Sequence, residues 1–269
     1  MVALETRNLS RQFGAVQACR DINVRLLHGE IVGMVGANGA GKTTLLNLIT
    51  GYLKPTAGQI FYMQDDITGL PPREVSRKGL ARSFQIPQLF SSLTVLENML
   101  IAVAGTRREH RDFWRLLADR RRLDEAREIL DLFGLLPMEH QAVDQLPQGA
   151  RKLLDIAVAF AQHPKVLLLD EPTSGVSTSD KFPVMDTIIA ALRQQGVTTL
   201  FVEHDMEVIA RYAQRVLVLH EGRIIFNDLP QRVFDDETVR RLVVGQRARG
   251  RTGLESGPGG SPKAAVPDA

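Results

Sequence analysis

IVGMVGANGAGKTTLLNLIT, Ile31–Thr50, is the stretch from which the rest of the chain can be placed. Its first five residues are apolar apart from a glycine, the texture of a short strand buried on both faces of a parallel sheet. Gly36–Thr43, GANGAGKT, then fits G-x-x-x-x-G-K-[ST]. Leu45, Leu48 and Ile49 follow on one face of a helix. Strand, glycine-rich loop and helix in that order form the context in which this pattern binds phosphate. The glycines let backbone N–H groups turn inward around phosphate oxygens, and the helix start adds the positive end of its dipole. Gly36, Ala37, Asn38, Gly39, Ala40, Gly41, Lys42, Thr43 and Thr44 are therefore candidate nucleotide-binding residues. Lys42 would reach the β- and γ-phosphates, and the Thr43 hydroxyl would hold Mg2+.

Outward from this loop, strands and helices alternate. Upstream, Ile22, Val24 and Leu26 alternate with polar residues, a strand pattern. Downstream, from about residue 87 to 155, Leu, Arg and Glu recur at helical spacing, as in LDEAREILDLFGLL, which predicts a helical insert. Strand-like VLLLD, a helix through MDTIIAALRQQG, strand-like TTLFVEH, another helix, strand-like VLVLH and a hairpin return GRIIFND come next. Such alternation predicts a parallel or mixed sheet with crossover helices. From about Gly245 the chain is rich in Gly, Pro, Ser and Arg without apolar periodicity, and a disordered tail is expected.

Composition excludes little else. The chain has 269 residues, 44% hydrophobic and 24% charged, with a formal net charge of +2. That charge makes no case for nucleic acid as a partner. No apolar run approaches the ~20 residues needed to cross a bilayer, and the N-terminus lacks the pattern of a signal peptide. The single cysteine, Cys19, reads as a buried structural thiol and fits a reducing cytosol.

Further candidates lie at strand ends. VLLLDE, Val166–Glu171, carries four apolar residues and then two acids to the sheet edge, where α/β proteins bind ligands. Asp170 would hold Mg2+ through water, and Glu171 is placed to take a proton from attacking water. His204, in FVEHD, can be a surface or structural histidine, or can hydrogen-bond a γ-phosphate. Gln85, in SFQIPQLF, carries an amide that can ligate Mg2+ or orient water. Phe13, in RQFGAVQA, can stack on adenine or sit in the core.

GANGAGKTT, SFQ, LPQGARK, VLLLDEP and FVEHD, in this order and with a helical insert between the first and third, resemble the ATP-binding subunit of ABC transporters over residues 3 to 240. DITGLPP (Asp66–Pro72), GLARSFQIPQLFSSLTVLEN (Gly79–Asn98) and LLNLITG (Leu45–Gly51) look like its branched-chain amino acid importer branch. The resemblance implies an α/β fold: a P-loop NTPase core of the ABC ATPase type with an N-terminal antiparallel β subdomain and a helical insert. The nucleotide-binding domain would span residues 1–244, with a helical subdomain at about 87–155 and a tail at 245–269.

It also implies a motor subunit that binds and hydrolyses ATP with Mg2+. Lys42, Glu171 and His204 would be catalytic, Phe13 and Gln85 would touch nucleotide, and Thr43, Gln85 and Asp170 would hold the metal. Two such subunits, alike or different, would sandwich nucleotide beneath transmembrane permease subunits on the cytoplasmic face of the membrane, served indirectly by a substrate-binding protein. LPQGARK stands where the family has its signature loop, which acts on the opposite subunit's ATP through Pro147, Gln148 and Gly149. Pro147 replaces a serine hydroxyl there and Ala150 a polar residue, while Gly149 and the helix start keep the pattern. Ser177, in EPTSGVS, stands where the family often has an acid or Asn. The arginine-rich Thr106–Arg122 reads as a solvated helix face, or as a contact with anionic lipid or a membrane subunit. Two other readings stay open: a non-transport ABC ATPase, disfavoured by one phosphate loop, one cysteine and no long heptad run, and a regulatory subunit that turns ATP over weakly.

Overall fold

The computed structural model describes residues 1–83, 89–106 and 119–244. Gln85, residues 107–118 of the arginine-rich stretch and the 245–269 tail lie outside them. Two sheets carry the fold. In the first, strands β1 (Val2–Phe13) and β2 (Val16–Leu27) pair antiparallel, and β4 (Ala57–Tyr62) and β5 (Asp65–Asp66) extend the sheet on the β1 side. Ile22, Val24 and Leu26 face inward and their neighbours outward, as the period-2 pattern predicts.

The second sheet runs β10-β9-β3-β8-β7-β6. It comprises β3 (Ile31–Val35), β6 (Leu80–Arg82), β7 (Val166–Asp170), β8 (Thr198–Val202), β9 (Arg215–His220) and β10 (Arg223–Asp228). All its pairings are parallel except the β9–β10 hairpin. Strands β3, β7 and β8 are buried along their whole length, because both faces are covered. Val32, Met34, Val166 and Leu168 pack toward the antiparallel sheet and helix α1 (Lys42–Ile49). Ile31, Val35, Leu167 and Leu169 pack toward the helices on the opposite face. A one-residue slip in any of these strands would exchange the two sets.

Those helices include α3 (Val95–Thr106), α4 (Arg120–Leu132) and α5 (Gln148–Phe160), with α6 (Lys181–Gln194) and α7 (Met206–Tyr212); the short α2 (Pro72–Arg77) packs through Val75 on the side of the antiparallel sheet. Thr94 and Glu97 form a capping box at the start of α3: the Thr94 N–H donates to Glu97 Oε2 at 2.7 Å, and the Glu97 N–H to Thr94 Oγ1 at 3.2 Å. Val95, Met99 and Val103 recur every four residues on the buried face of α3. Phe133 and Phe160 tie α4 to α5 edge-to-face, with ring centroids 5.4 Å apart. Gly33 lets α7 press onto β3, since an added Cβ would meet Ile209 Cδ1 at 2.9 Å. Among the described residues, no helix is long and apolar enough to cross a membrane. The C-terminal ends of β3, β7 and β8 lie along one sheet edge, which is where the candidate residues gather.

Candidate nucleotide-binding and catalytic site

The loop Gly36–Gly41 turns from β3 into α1. Gly36 is buried, and a Cβ there would come within 2.3 Å of the Leu219 carbonyl oxygen. Gly41 has φ +106, and its Cβ would sit 2.3 Å from the Ala18 carbonyl oxygen. Both positions thus exclude a side chain by close backbone approach. The β9–β10 turn braces the loop from outside through the Gly222 N–H to the Ala40 carbonyl at 3.0 Å. Cys19 is fully buried beside it, its Sγ 3.9 Å from the Gly41 carbonyl, and burial pushes its thiol up to about 12. That is the structural thiol expected from the sequence.

Lys42 opens α1 and is 7% exposed. Its Nζ donates to the carbonyls of Gly36 at 2.7 Å and Ala37 at 3.0 Å, folding the ammonium over the loop. Burial lowers its pKa, against the opposing pull of the Glu171 and Asp170 carboxylates. Thr43 and Thr44 follow in the first turn, Thr43 exposed. Phe13 ends β1 and is 43% exposed rather than in the core, with the Arg11 guanidinium 4.5 Å from its ring centroid.

β7 ends at Asp170, 4% exposed. Arg82, the last residue of β6, donates through Nη2 to Asp170 Oδ2 at 2.7 Å and through Nη1 to Asn47 Oδ1 of α1 at 2.5 Å. Both ion-pair side chains are 5% exposed. Glu171 follows at φ +50, a left-handed conformation costly for a non-glycine residue. Its N–H donates to the Val202 carbonyl at 3.0 Å. His204 Nε2 lies 2.9 Å from Glu171 Oε1, so this histidine is held against the acid rather than left as a solvated side chain.

Glu203, the residue before His204, is 4% exposed. Its Oε1 accepts from the Thr173 N–H and Oγ1, each at 2.8 Å, and its Oε2 accepts from the His204 N–H at 3.2 Å. Burial raises its pKa, against these hydrogen bonds. Lys152 of α5 is 2% exposed; burial lowers its pKa against the charges of Asp155, Glu203, Asp170 and Glu171. Arg82, Asn47, Thr173, Glu203 and Lys152 escape a motif reading, because residue type alone does not tell a buried charge from a solvated one. The faint signal for Glu203 was an acid wedged between an apolar strand and His204.

Away from this cluster, Pro147 caps α5 with no side-chain hydrogen bond, and Pro147 and Gln148 are exposed. Gly149 packs on Val184, which an added Cβ would approach to 3.2 Å. Arg151 fastens the loop ahead of the helix, donating to the carbonyls of Leu146, at 3.0 Å, and Asp144. Ser177 is exposed, and its Oγ donates to Asp180 Oδ2 at 2.7 Å. Thr43 and Asp170 supply a hydroxyl and a carboxylate, donor types that suit Mg2+ beside phosphate and water, although Asp170 Oδ2 already accepts from Arg82. Among the described residues no cluster of three or more His, Cys, Asp or Glu could hold a metal by itself.

Residues 19–174 match the family model described as ABC transporter. The chain is 34% identical over 256 residues to the high-affinity branched-chain amino acid transport ATP-binding protein LivG of Escherichia coli (strain K12), covering 90% of this chain and 98% of that protein. Its fold is similar to the ADP conformation of MJ1267, an ATP-binding cassette of an ABC transporter, with a TM-score of 0.79, 28% identity, and coverage of 91% of this chain and 99% of that one. It is also similar to a dimeric structure of MJ0796, a bacterial ABC transporter cassette, with a TM-score of 0.72, 25% identity, and coverage of 84% and 98%.

Proposed function

Because the chain belongs to the ABC transporter ATPase family, we propose that it is the ATP-hydrolysing motor of an importer for branched-chain or related amino acids, with Glu171 as its general base. ATP hydrolysis coupled to transport is the activity of the family. The cargo is read from the relative LivG, whose name specifies branched-chain amino acids. The observation that carries the catalytic assignment is the Glu171–His204 contact of 2.9 Å at the sheet edge beside the phosphate loop.

In this reading the phosphates of ATP displace the Lys42 ammonium from the Gly36 and Ala37 carbonyls, and Lys42 pairs with the β- and γ-phosphates instead. Phe13 lies against adenine. Water attacks the γ-phosphorus in line, the bond to the ADP oxygen breaks, and the water proton passes to Glu171. His204 Nε2 holds the Glu171 carboxylate in place before nucleotide binds, and the imidazole then donates to the γ-phosphate instead. Mg2+, held by Thr43, Asp170 and Gln85, would neutralise charge on the phosphate oxygens when bound.

A second ATPase subunit closes the site, presenting its own signature loop to this nucleotide while Pro147, Gln148 and Gly149 serve the other. The exposed α5 N-terminus retains the dipole and N–H groups for that contact despite the lost hydroxyl. The motor works on permease subunits at the cytoplasmic face of the membrane, fed indirectly by a substrate-binding protein. Phosphate release and light scattering of the chain beside its Glu171→Gln form test the assignment. Loss of turnover with an ATP-trapped dimer is expected. Turnover unchanged in Glu171→Gln overturns the assignment of the base, and ATP binding without turnover in the unaltered chain favours the regulatory reading.

A further inference from the structure

We propose that Glu203 is a positioning residue: its one buried carboxylate sets the distance between Glu171 and His204 by holding the backbone on both sides of the pair. The proposal rests on the reading of Glu171 and His204 as the catalytic pair. Three donors converge on this side chain. Two come from Thr173, two residues beyond Glu171, and one from the His204 N–H. Glu171 is held at its own end by the Val202 carbonyl, the residue before Glu203. The loop carrying the base and the turn carrying the histidine are thus fastened to consecutive residues at the end of β8.

A merely structural account explains this poorly. A carboxylate that is 4% exposed is costly to bury unless its charge is compensated. An apolar residue would fill the same space without that cost. The carboxylate does what no apolar side chain can: each oxygen accepts from a different segment. Glu171 needs such support because its backbone sits at φ +50, a conformation that persists only where the surroundings impose it. The buried Lys152 of α5 supplies positive charge to the same acidic cluster.

The test compares Glu203→Gln, Thr173→Val and Thr173→Ser with the unaltered full-length chain. Glu203→Gln keeps one oxygen for Thr173 but turns an amide N–H2 toward the His204 N–H. Thr173→Val keeps shape and backbone N–H but loses the hydroxyl donor, which Thr173→Ser restores. For Glu203→Gln the expected result is a fall in kcat on the order of ten- to a hundredfold, with KM for ATP, MgATP affinity and melting temperature little changed. Thr173→Val should fall less, and Thr173→Ser should recover.

The second readout is the ring 15N resonance of His204 in nucleotide-free protein. In Glu203→Gln it should move toward its position in Glu171→Gln, because both changes release the histidine from the acid. Unchanged kcat and resonance in stable Glu203→Gln and Thr173→Val proteins overturn the proposal, as does loss of ATP affinity in step with loss of fold. If Glu203→Gln does not fold, Thr173→Val decides by the same readouts. A Glu171→Gln chain with normal turnover would show that the underlying assignment of the base had failed instead.

Discussion

Replacing Arg82 with Met removes a buried positive charge and leaves the shape nearly filled. Asp170 then keeps its carboxylate in a place where its side chain is 5% exposed, without the guanidinium that donates to Oδ2 at 2.7 Å. Breaking one partner of a buried ion pair costs about 3–5 kcal/mol, because the other charge is stranded. The bond to Asn47 Oδ1 goes with it. At roughly 2–4 °C per kcal/mol for a domain approaching this size, the melting temperature should fall by about 6–20 °C. Arg82→Met combined with Asp170→Asn removes both charges and should melt above Arg82→Met alone. Thermal unfolding of the nucleotide-free chain, followed by circular dichroism, measures the unaltered chain, Arg82→Met, Asp170→Asn and the double variant without involving catalysis. If Arg82→Met melts within about 2 °C of the unaltered chain, a difference below about 1 kcal/mol, the pair does not hold the buried Asp170. If the double variant simply adds the two single losses, Arg82 and Asp170 are not coupled. Either result refutes the reasoning.

The glycines of the phosphate loop should differ in a stated order. Gly39→Ala meets no atom within 4 Å and bears only left-handed strain at φ +81, about 1–2 kcal/mol, with nucleotide binding retained. Gly41→Ala drives a methyl to 2.3 Å from the Ala18 carbonyl oxygen and should abolish binding, which ATP titration will measure. Glu5 should make the chain acid-sensitive. Hydrogen bonds from Arg7 and then Arg25, at 2.7 Å each, hold its carboxyl at about 2 against an ordinary 4.5. Its contribution is therefore complete above about pH 4.5 and is lost as pH falls toward about 2. Denaturant titrations across that window should show a shallower decline in an Arg7→Ala/Arg25→Ala protein.

Much of this molecule is legible in its order of residues. GANGAGKT between an apolar run and an amphipathic stretch names a phosphate loop, because glycine spacing, strand texture and helix periodicity are local properties. VLLLDE and FVEHD mark strand ends for the same reason, and the period-2 pattern of β2 survives into the fold. What local properties cannot carry is which strand ends become neighbours. β7 and β8 pair in parallel with Asp170 opposite Val202, so the residues just past each strand, Glu171, Glu203 and His204, meet across about thirty positions of sequence. β6 lies beside β7, bringing Arg82 onto Asp170 across 88 positions. Arg82 and Glu203 would read as ordinary surface charges from the sequence. Only the sheet order, which buries Asp170 and Glu203 at that edge, turns them into the paired charges that shape the site, since a charge must find a partner once its water is gone.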